Sequence, residues 1–280
     1  MFELSHPDVE RVLRFALDED IGAGDITTRA TVPESRQAEG RFFAREPLVL
    51  AGVELLPRLY GLRGGVSSLE LHRRGGDSLS PGDCLATVRG KAWTLLEVER
   101  TALNFLQRLS GVATLARQYA DAVKHTRCRI LDTRKTTPGL RRLEKLAVAA
   151  GGAVNHRMGL FDAILIKNNH ITAAGGVRAA LERALPAGVP VEIEVRTREE
   201  LEEALHCGAS RLLLDNLTPL QAAEWIRFIN GRATVELSGG ITLETVRAYA
   251  ETGADFISCG AITHSARAMD LNFRIELDAV

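Results

Sequence analysis

The chain has 280 residues, 45% of them hydrophobic, and a formal net charge of −1. That length suits one large domain or two of unequal size, and the near-neutral balance argues against a nucleic-acid protein, which would carry a basic domain with aromatic residues for stacking. No run of eighteen apolar residues is present, and residues 1–7 lack the basic and apolar regions of a signal peptide. Cys84, Cys128, Cys207 and Cys259 lie far apart with no C-x-x-C pair. They read as small buried residues in a reducing compartment rather than as disulfides or zinc ligands. A soluble cytoplasmic protein is expected.

In chain order, residues 9–20 predict a short amphipathic helix with Val9, Val12, Leu13, Ala16 and Leu17 on one face. After Gly22-Ala23-Gly24-Asp25 come short strand-like stretches at 40–45, 68–72 and 84–88, punctuated by Gly and Pro. Residues 94–124 predict a long helix whose apolar stripe passes through Leu95, Val98, Ala102, Phe105, Leu106, Leu109 and Val112. Gly111 is placed to split that helix, and the stripe is long enough to exceed one covering surface. From residue 128 the texture changes. Apolar β-rich runs at 128–131, 163–166, 189–195, 211–214, 234–237 and 256–259 alternate with helical stretches at 178–185, 198–207, 220–230 and 243–253. The last four runs start roughly 20 to 25 residues apart, the rhythm of βα units with parallel strands covered on both faces. Residues 269–280 alternate as a strand that could return to the first domain.

The charge is unevenly spread. Between residues 127 and 178 stand ten Lys/Arg against three acids, Asp132, Glu144 and Asp162. Several cations close apolar runs instead of lying on a solvated helix face: Arg134-Lys135 follow Ile130-Leu131, and Lys167 ends Ala163-Ile164-Leu165-Ile166. A cation at the mouth of a buried strand needs an anion, so the window is suited to gripping a small, multiply charged acid. The other strand ends carry Glu194, Asp215, Ser238-Gly239-Gly240 and Gly260. In a parallel α/β barrel those ends share one face, where active sites form.

Ser238-Gly239-Gly240-Ile241-Thr242 and Cys259-Gly260-Ala261-Ile262-Thr263 each join a strand to a helix. Glycine there lets backbone N–H groups approach an oxyanion, and two such turns in succession suggest a phosphate site. Glu194 and Asp215 suit magnesium or ribose hydroxyls, against the plainer reading that they neutralise nearby cations. His156 beside Arg157 could orient a substrate or move a proton, while His170 and His264 could each cap a helix. Arg100, by default, forms an i,i+3 pair with Glu97.

Seven blocks together resemble one family. They are Glu99-Arg100-Thr101-Ala102-Leu103-Asn104, Asp132-Thr133-Arg134-Lys135-Thr136-Thr137-Pro138-Gly139, Asn155-His156-Arg157, Leu165-Ile166-Lys167-Asn168-Asn169-His170, Leu214-Asp215-Asn216, Ser238-Gly239-Gly240-Ile241 and Gly260-Ala261-Ile262-Thr263-His264-Ser265. In that order, and starting from Glu19-Asp20-Ile21-Gly22-Ala23-Gly24-Asp25, the chain resembles quinolinate phosphoribosyltransferases over nearly its whole length. The resemblance implies an α/β fold: an incomplete parallel α/β barrel over residues 111–267 and an α+β sandwich domain over 1–110, with 268–280 returning to it. It implies condensation of quinolinate with phosphoribosyl pyrophosphate to nicotinate mononucleotide, pyrophosphate and CO2, with Mg2+, in a homodimer.

By position, Arg134, His156 and Arg157 would hold the quinolinate carboxylates, joined by Arg100 from the neighbouring subunit. Lys135 and Lys167 would serve carboxylates and pyrophosphate, with Thr133 beside them. Glu194 and Asp215 would handle ribose hydroxyls and Mg2+, directly or through water, and Lys135, Glu194 and Asp215 would be the catalytic set. Ser238, Gly239, Gly240, Cys259, Gly260, Ala261 and His264 would bind the 5′-phosphate. The chain departs from the family pattern at Leu146, Ala149 and Ala153, at Asn168, and at Arg196, a place often acidic. Two other readings stand beside this one: a related transferase for another acid, such as the molybdenum-transport-associated paralogue, and a non-catalytic anion-binding module. The second would need no carboxylates opposite the cations.

Overall fold

The computed structural model describes residues 4–277. The chain forms two compact units, neither continuous in sequence. The first takes residues through Arg117, Thr136–Gly152 and those from Ser265 onward; the second takes Gln118–Lys135 and Ala153–His264.

In chain order, α1 (Pro7–Ile21) and α2 (Ile26–Thr31) lead into β1 (Gln37–Ala44) and β2 (Leu48–Val49). Then come α3 (Leu56–Gly61), β3 (Ser68–Leu71), β4 (Ser78–Leu79), β5 (Cys84–Lys91) and α4 (Ala92–Val123). From there β6 (Arg129–Leu131), α5 (Arg141–Ala150), β7 (Ile164–Ile166), α6 (Asn168–Ala174) and α7 (Val177–Ala184) follow. The series ends with β8 (Val191–Val195), α8 (Arg198–His206), β9 (Arg211–Asp215), α9 (Pro219–Ile229), β10 (Thr234–Ser238), α10 (Val246–Ala250), β11 (Phe256–Ser258), α11 (Ala261–His264) and β12 (Leu271–Leu277).

The first unit is built on an antiparallel sheet in the order β12-β1-β5-β3. Phe42 of β1 lies opposite Phe273 of β12, their ring centroids 4.6 Å apart, and this cross-strand aromatic pair ties the last strand to the first. Gly40 sits under that Phe273 ring, where a Cβ would collide with it. The Gly22-to-Asp25 break is more than a loop, because Asp25 accepts the Thr28 N–H (3.0 Å) and caps α2.

Helix α4 runs unbroken, so Gly111 does not divide it. The glycine serves close approach instead, since a Cβ there would strike the carbonyl oxygen of Arg267. The apolar stripe from Leu95 to Val112 is buried within this one chain, against the expectation that it would exceed its covering surface. The large apolar side chains left exposed include Phe15 (70%) and Ile26 (80%).

The second unit carries a six-stranded parallel sheet, β6-β11-β10-β9-β8-β7, matching the incomplete barrel expected from the sequence. Among the described residues β6 and β7 are its two open edges, and Leu131 makes a single parallel bridge to Val154. The strands alternate more than apolar runs would. Ile193, Val195, Leu212, Leu214, Val235 and Leu237 are buried, whereas Glu194, Asp215, Glu236 and Ser238 share a cavity. Period two thus separates a packed face from a polar one. No helix among the described residues is long and apolar enough to cross a membrane.

Helix α5, unmarked in the sequence because its stretch looks merely basic, holds two fully buried charged residues, Glu144 and Lys145. Glu144 accepts from Arg108 Nη2 (2.7 Å) and Nε (3.1 Å), and from Thr137 N–H (3.0 Å) and O–H (2.7 Å). Four donors on one buried carboxylate fix the Thr137-Pro138-Gly139 turn. Glu144→Ala should destabilise the protein by about 3–5 kcal/mol, because it strands the Arg108 charge. Glu144→Gln should lose less. An unchanged urea midpoint for Glu144→Ala would show that the network carries no stability.

Candidate active site

The C-terminal ends of the parallel strands meet around one cavity of about 650 Å3. The chain after β6 supplies Thr133, Arg134 and Lys135, and the end of β7 supplies Lys167. β8 supplies Glu194, β9 Asp215, and the β10 turn Ser238, Gly239 and Gly240. His156 and Arg157 enter from the segment before β7. Parallel pairing sets these groups level: Ser238 lies opposite Asp215, and Leu213 opposite Glu194.

The second glycine turn is placed differently. Cys259, Gly260, Ala261 and His264 do not line the cavity. Cys259 is buried, its thiol pushed up to about 12 by burial, and its N–H donates to Leu131 O (3.0 Å). A Cβ on Gly260 would come within 2.8 Å of Lys135 Cδ, and Thr263 O–H donates to Lys135 O (2.9 Å). This turn therefore seats Lys135. Arg100 is exposed on α4 in the first unit, and its expected partner Glu97 pairs with Arg63 instead (2.7 Å). His170 accepts the Lys167 N–H (2.9 Å), a helix-capping role.

The cavity also gathers Asn168, Asn169, Arg196, Asn216, Glu236 and Ser258, which were not named as site residues from the sequence. Strand alternation was the available signal for one of them: Glu236 stands two residues before Ser238.

The cations are held apart by specific partners. Arg157 Nη1 donates to Ala163 O (2.9 Å), while its Nε is buried with no hydrogen-bond partner among the described residues. Burial, and then the Arg134 charge, lower the pKa of Arg157. Both effects mark a guanidinium placed to meet an anion. Glu194 takes Arg196 Nη2 at 3.0 Å on one oxygen and Lys167 Nζ at 3.9 Å on the other.

Beneath these lies a second cluster. His156 N–H donates to Asp132 Oδ1 (2.7 Å), and His156 Nε2 is 3.4 Å from both Glu192 and Glu236. Burial opposes a charge on the imidazole, and the two carboxylates act the other way. The Arg157 N–H, which can only donate, points at His156 Nδ1 (2.7 Å), so that nitrogen must offer its lone pair. The group of three therefore keeps its extra proton on the carboxylate side, where burial pushes the Glu236 carboxyl up. The three side chains lie close enough to surround a metal ion. With Nδ1 accepting, however, Nε2 carries the ring hydrogen and has no lone pair for one.

Asp215 is fixed by its neighbour. Asn216 adopts φ +57°, its N–H donates to Ser238 O (2.9 Å), and its Nδ2 donates to Asp215 Oδ2 (2.6 Å). Gly239, at φ +100°, has no Cβ to collide with Asn216. The β9 and β10 ends are thus interlocked through two residues in the left-handed region, where Gly and Asn are favoured.

The model of the quinolinate phosphoribosyl transferase C-terminal domain matches residues 112–274, and that of its N-terminal domain matches 25–110. The chain belongs to the quinolinate phosphoribosyltransferase family. It is 40% identical over 98% of its length to quinolinate phosphoribosyltransferase [decarboxylating] 2b, mitochondrial, of Nicotiana tabacum, covering 84% of that protein. It is 38% identical to the probable nicotinate-nucleotide pyrophosphorylase [carboxylating] of Bacillus subtilis, covering 98% of this chain and 96% of that one. The crystal structure of NadC from Streptococcus pyogenes matches with a TM-score of 0.94 at 37% identity, covering all of both chains. The mixed α/β architecture described above is therefore the family's architecture.

The left-handed turn gives a direct test. Asn216→Gly should keep the fold within about 1 kcal/mol, whereas Asn216→Val should lose about 1–2 kcal/mol more, the cost of a Cβ in that region. Equal stability of the two variants in urea titrations would mean that this backbone conformation imposes no constraint.

Proposed function

We propose that the protein transfers a phosphoribosyl group from phosphoribosyl pyrophosphate to quinolinate with decarboxylation. The products are nicotinate mononucleotide, pyrophosphate and CO2, a step of NAD biosynthesis. Family membership over both domains supports the reaction. The observation in the site that carries it is the cation-rich cavity, with the buried Arg157 Nε lacking a partner and two carboxylates, Glu194 and Asp215, on its wall. Quinolinate is a dianion and its partner a polyanion, so holding them together requires dense positive charge.

Arg134 and Arg157 bind the quinolinate carboxylates as planar forks, and Lys135 and Lys167 act as point charges toward carboxylates and pyrophosphate. His156 serves through Arg157, whose backbone it fixes. The ring nitrogen attacks the anomeric carbon as the bond to pyrophosphate breaks, leaving a pyridinium. That cation accepts the electrons released when the 2-carboxylate departs as CO2, and the ring carbon takes a proton. Glu194 and Asp215 would hold the ribose hydroxyls and Mg2+, directly or through water. Two hard carboxylate oxygens with substrate phosphates suit that ion. When bound, Mg2+ offsets the charge of the leaving pyrophosphate. Positioning and preorganised charge supply the acceleration, so no nucleophilic side chain is needed. The Ser238-Gly239-Gly240 turn receives the 5′-phosphate.

The proposal includes a homodimer in the cytoplasm. All four cysteines are free, as a reducing compartment allows. In the first unit, exposed Phe15 stands with Val12, Ala16, Phe105 and Leu140 around a cavity of about 720 Å3, a surface suited to cover by a second copy. Arg100, exposed on α4, would reach the partner's quinolinate site.

Mixing the protein with quinolinate, phosphoribosyl pyrophosphate and Mg2+ should give nicotinate mononucleotide and CO2 in equal amounts. Turnover of a different pyridine or benzene carboxylate, with quinolinate inert, would assign it to a related transferase. Arg100→Ala and Lys135→Ala should each be inactive alone. Mixed, they should form heterodimers with one intact pocket and up to about half the wild-type activity per mixed dimer. Recovery failing after verified subunit exchange would place Arg100 outside the partner's site.

A further inference from the structure

Glu194 is a carboxylate already paired with two cations. Its side chain is 8% exposed, with Arg196 Nη2 and Nε at 3.0 and 3.3 Å from Oε1, and Lys167 Nζ at 3.9 Å from Oε2. A divalent cation that is to use Oε1 must displace the Arg196 guanidinium, because both seek the same lone pairs. Nothing in the proposed chemistry requires Arg196.

Arg196 is built to move as a side chain and stay put as a backbone. Its N–H donates to Glu200 Oε2 (2.8 Å), and the next residue, Thr197, caps α8. The side chain itself is 48% exposed and lines the cavity beside Asn168, Asn169 and Asp215. Once displaced from Glu194, the guanidinium remains in the cavity with its five donors facing whatever anion the divalent cation has brought. A planar fork matches two phosphoryl oxygens.

We propose that Arg196 is a pyrophosphate-binding residue that also holds the place of the divalent cation. Its guanidinium pairs with Glu194 in the structure; when the metal arrives with its phosphates, it transfers to the pyrophosphate group. The proposal rests on the phosphoribosyltransferase reading of the cavity. It predicts opposite effects on two ligands. The bare metal competes with Arg196, whereas pyrophosphate is recruited by it.

Calorimetric titration of the full-length protein separates these effects. Pyrophosphate, titrated at a Mg2+ concentration that saturates both proteins, should bind about tenfold or more weakly to Arg196→Gln than to the unmodified protein, as expected for a lost charge-assisted contact. Mn2+ added without phosphates should bind Arg196→Gln several-fold more tightly. Arg196→Lys should restore much of the competition with Mn2+ but little of the pyrophosphate affinity. Quinolinate affinity should change by less than roughly twofold in both variants, since Arg196 faces the carboxylate-bearing wall. Unchanged pyrophosphate affinity in Arg196→Gln overturns the proposal and leaves Arg196 as a partner of Glu194. A parallel loss of quinolinate affinity overturns it too, by assigning Arg196 to the general integrity of the site. If the unmodified protein binds no pyrophosphate at all, the transferase reading fails first, and that outcome is visible before any variant is made.

Discussion

The site depends on keeping several cations close together. Two like charges roughly 6 Å apart repel by about 3 kcal/mol at an effective dielectric of about 20. Arg134 and Arg157 form such a pair: burial, and then the charge of Arg134, lower the pKa of Arg157. The protein meets this with a counter-charge built into a strand: Glu194 on β8, between Arg196 and Lys167. A buried pair of this kind rarely adds stability over an apolar one. Here it holds cations in readiness for a ligand.

That constraint explains why the strands alternate where purely apolar runs might be expected. Parallel strands covered on both faces usually read as continuous Val, Ile and Leu. In Val191-Glu192-Ile193-Glu194-Val195 the apolar positions pack, and the two glutamates face the polar side, where Glu194 reaches the cavity and Glu192 the His156 cluster. Adjacent carboxylates two residues apart then serve different layers, one at the mouth and one below it. The cost of burying Glu236 beside Glu192 is eased by the histidine that faces both, and burial pushes the Glu236 carboxyl up.

Much of this was legible from residue order. The ends of the parallel strands, with Arg134, Lys135, Lys167, Glu194, Asp215 and the Ser238-Gly239-Gly240 turn, converge as the βα rhythm required. The rest was hidden because sequence gives residue type and spacing but not the direction of a particular oxygen or nitrogen. His156 was legible as a site residue, yet its nitrogens are turned to Arg157 and the glutamates. Cys259 and Gly260 followed the phosphate-turn pattern, yet a short strand and α11 bring their turn against Lys135. Helix α5 escaped notice because Arg141, Arg142, Glu144 and Lys145 mask a buried face of Leu143, Ala147 and Val148. Its buried charges become intelligible only once Glu144 is seen to receive Arg108 and Thr137.

The same geometry divides the site by mobility. Asp215 is locked by Asn216, and Asn216 by Gly239. Arg157 is tied to Ala163, and its backbone to His156. These groups are preorganised, so no reorganisation is needed where charge develops at the ribose and the pyridine ring. By contrast, Lys135, Lys167 and Arg196 are exposed. Long, hydrated side chains suit a ligand that must leave, because their contacts can be given up one at a time to water. Pyrophosphate is such a ligand, and a rigid cage of the same charge would retain it and stop turnover. Under the proposed function, the tied Arg157 guanidinium would stand where the acid is oriented and the exposed cations where the leaving group is released.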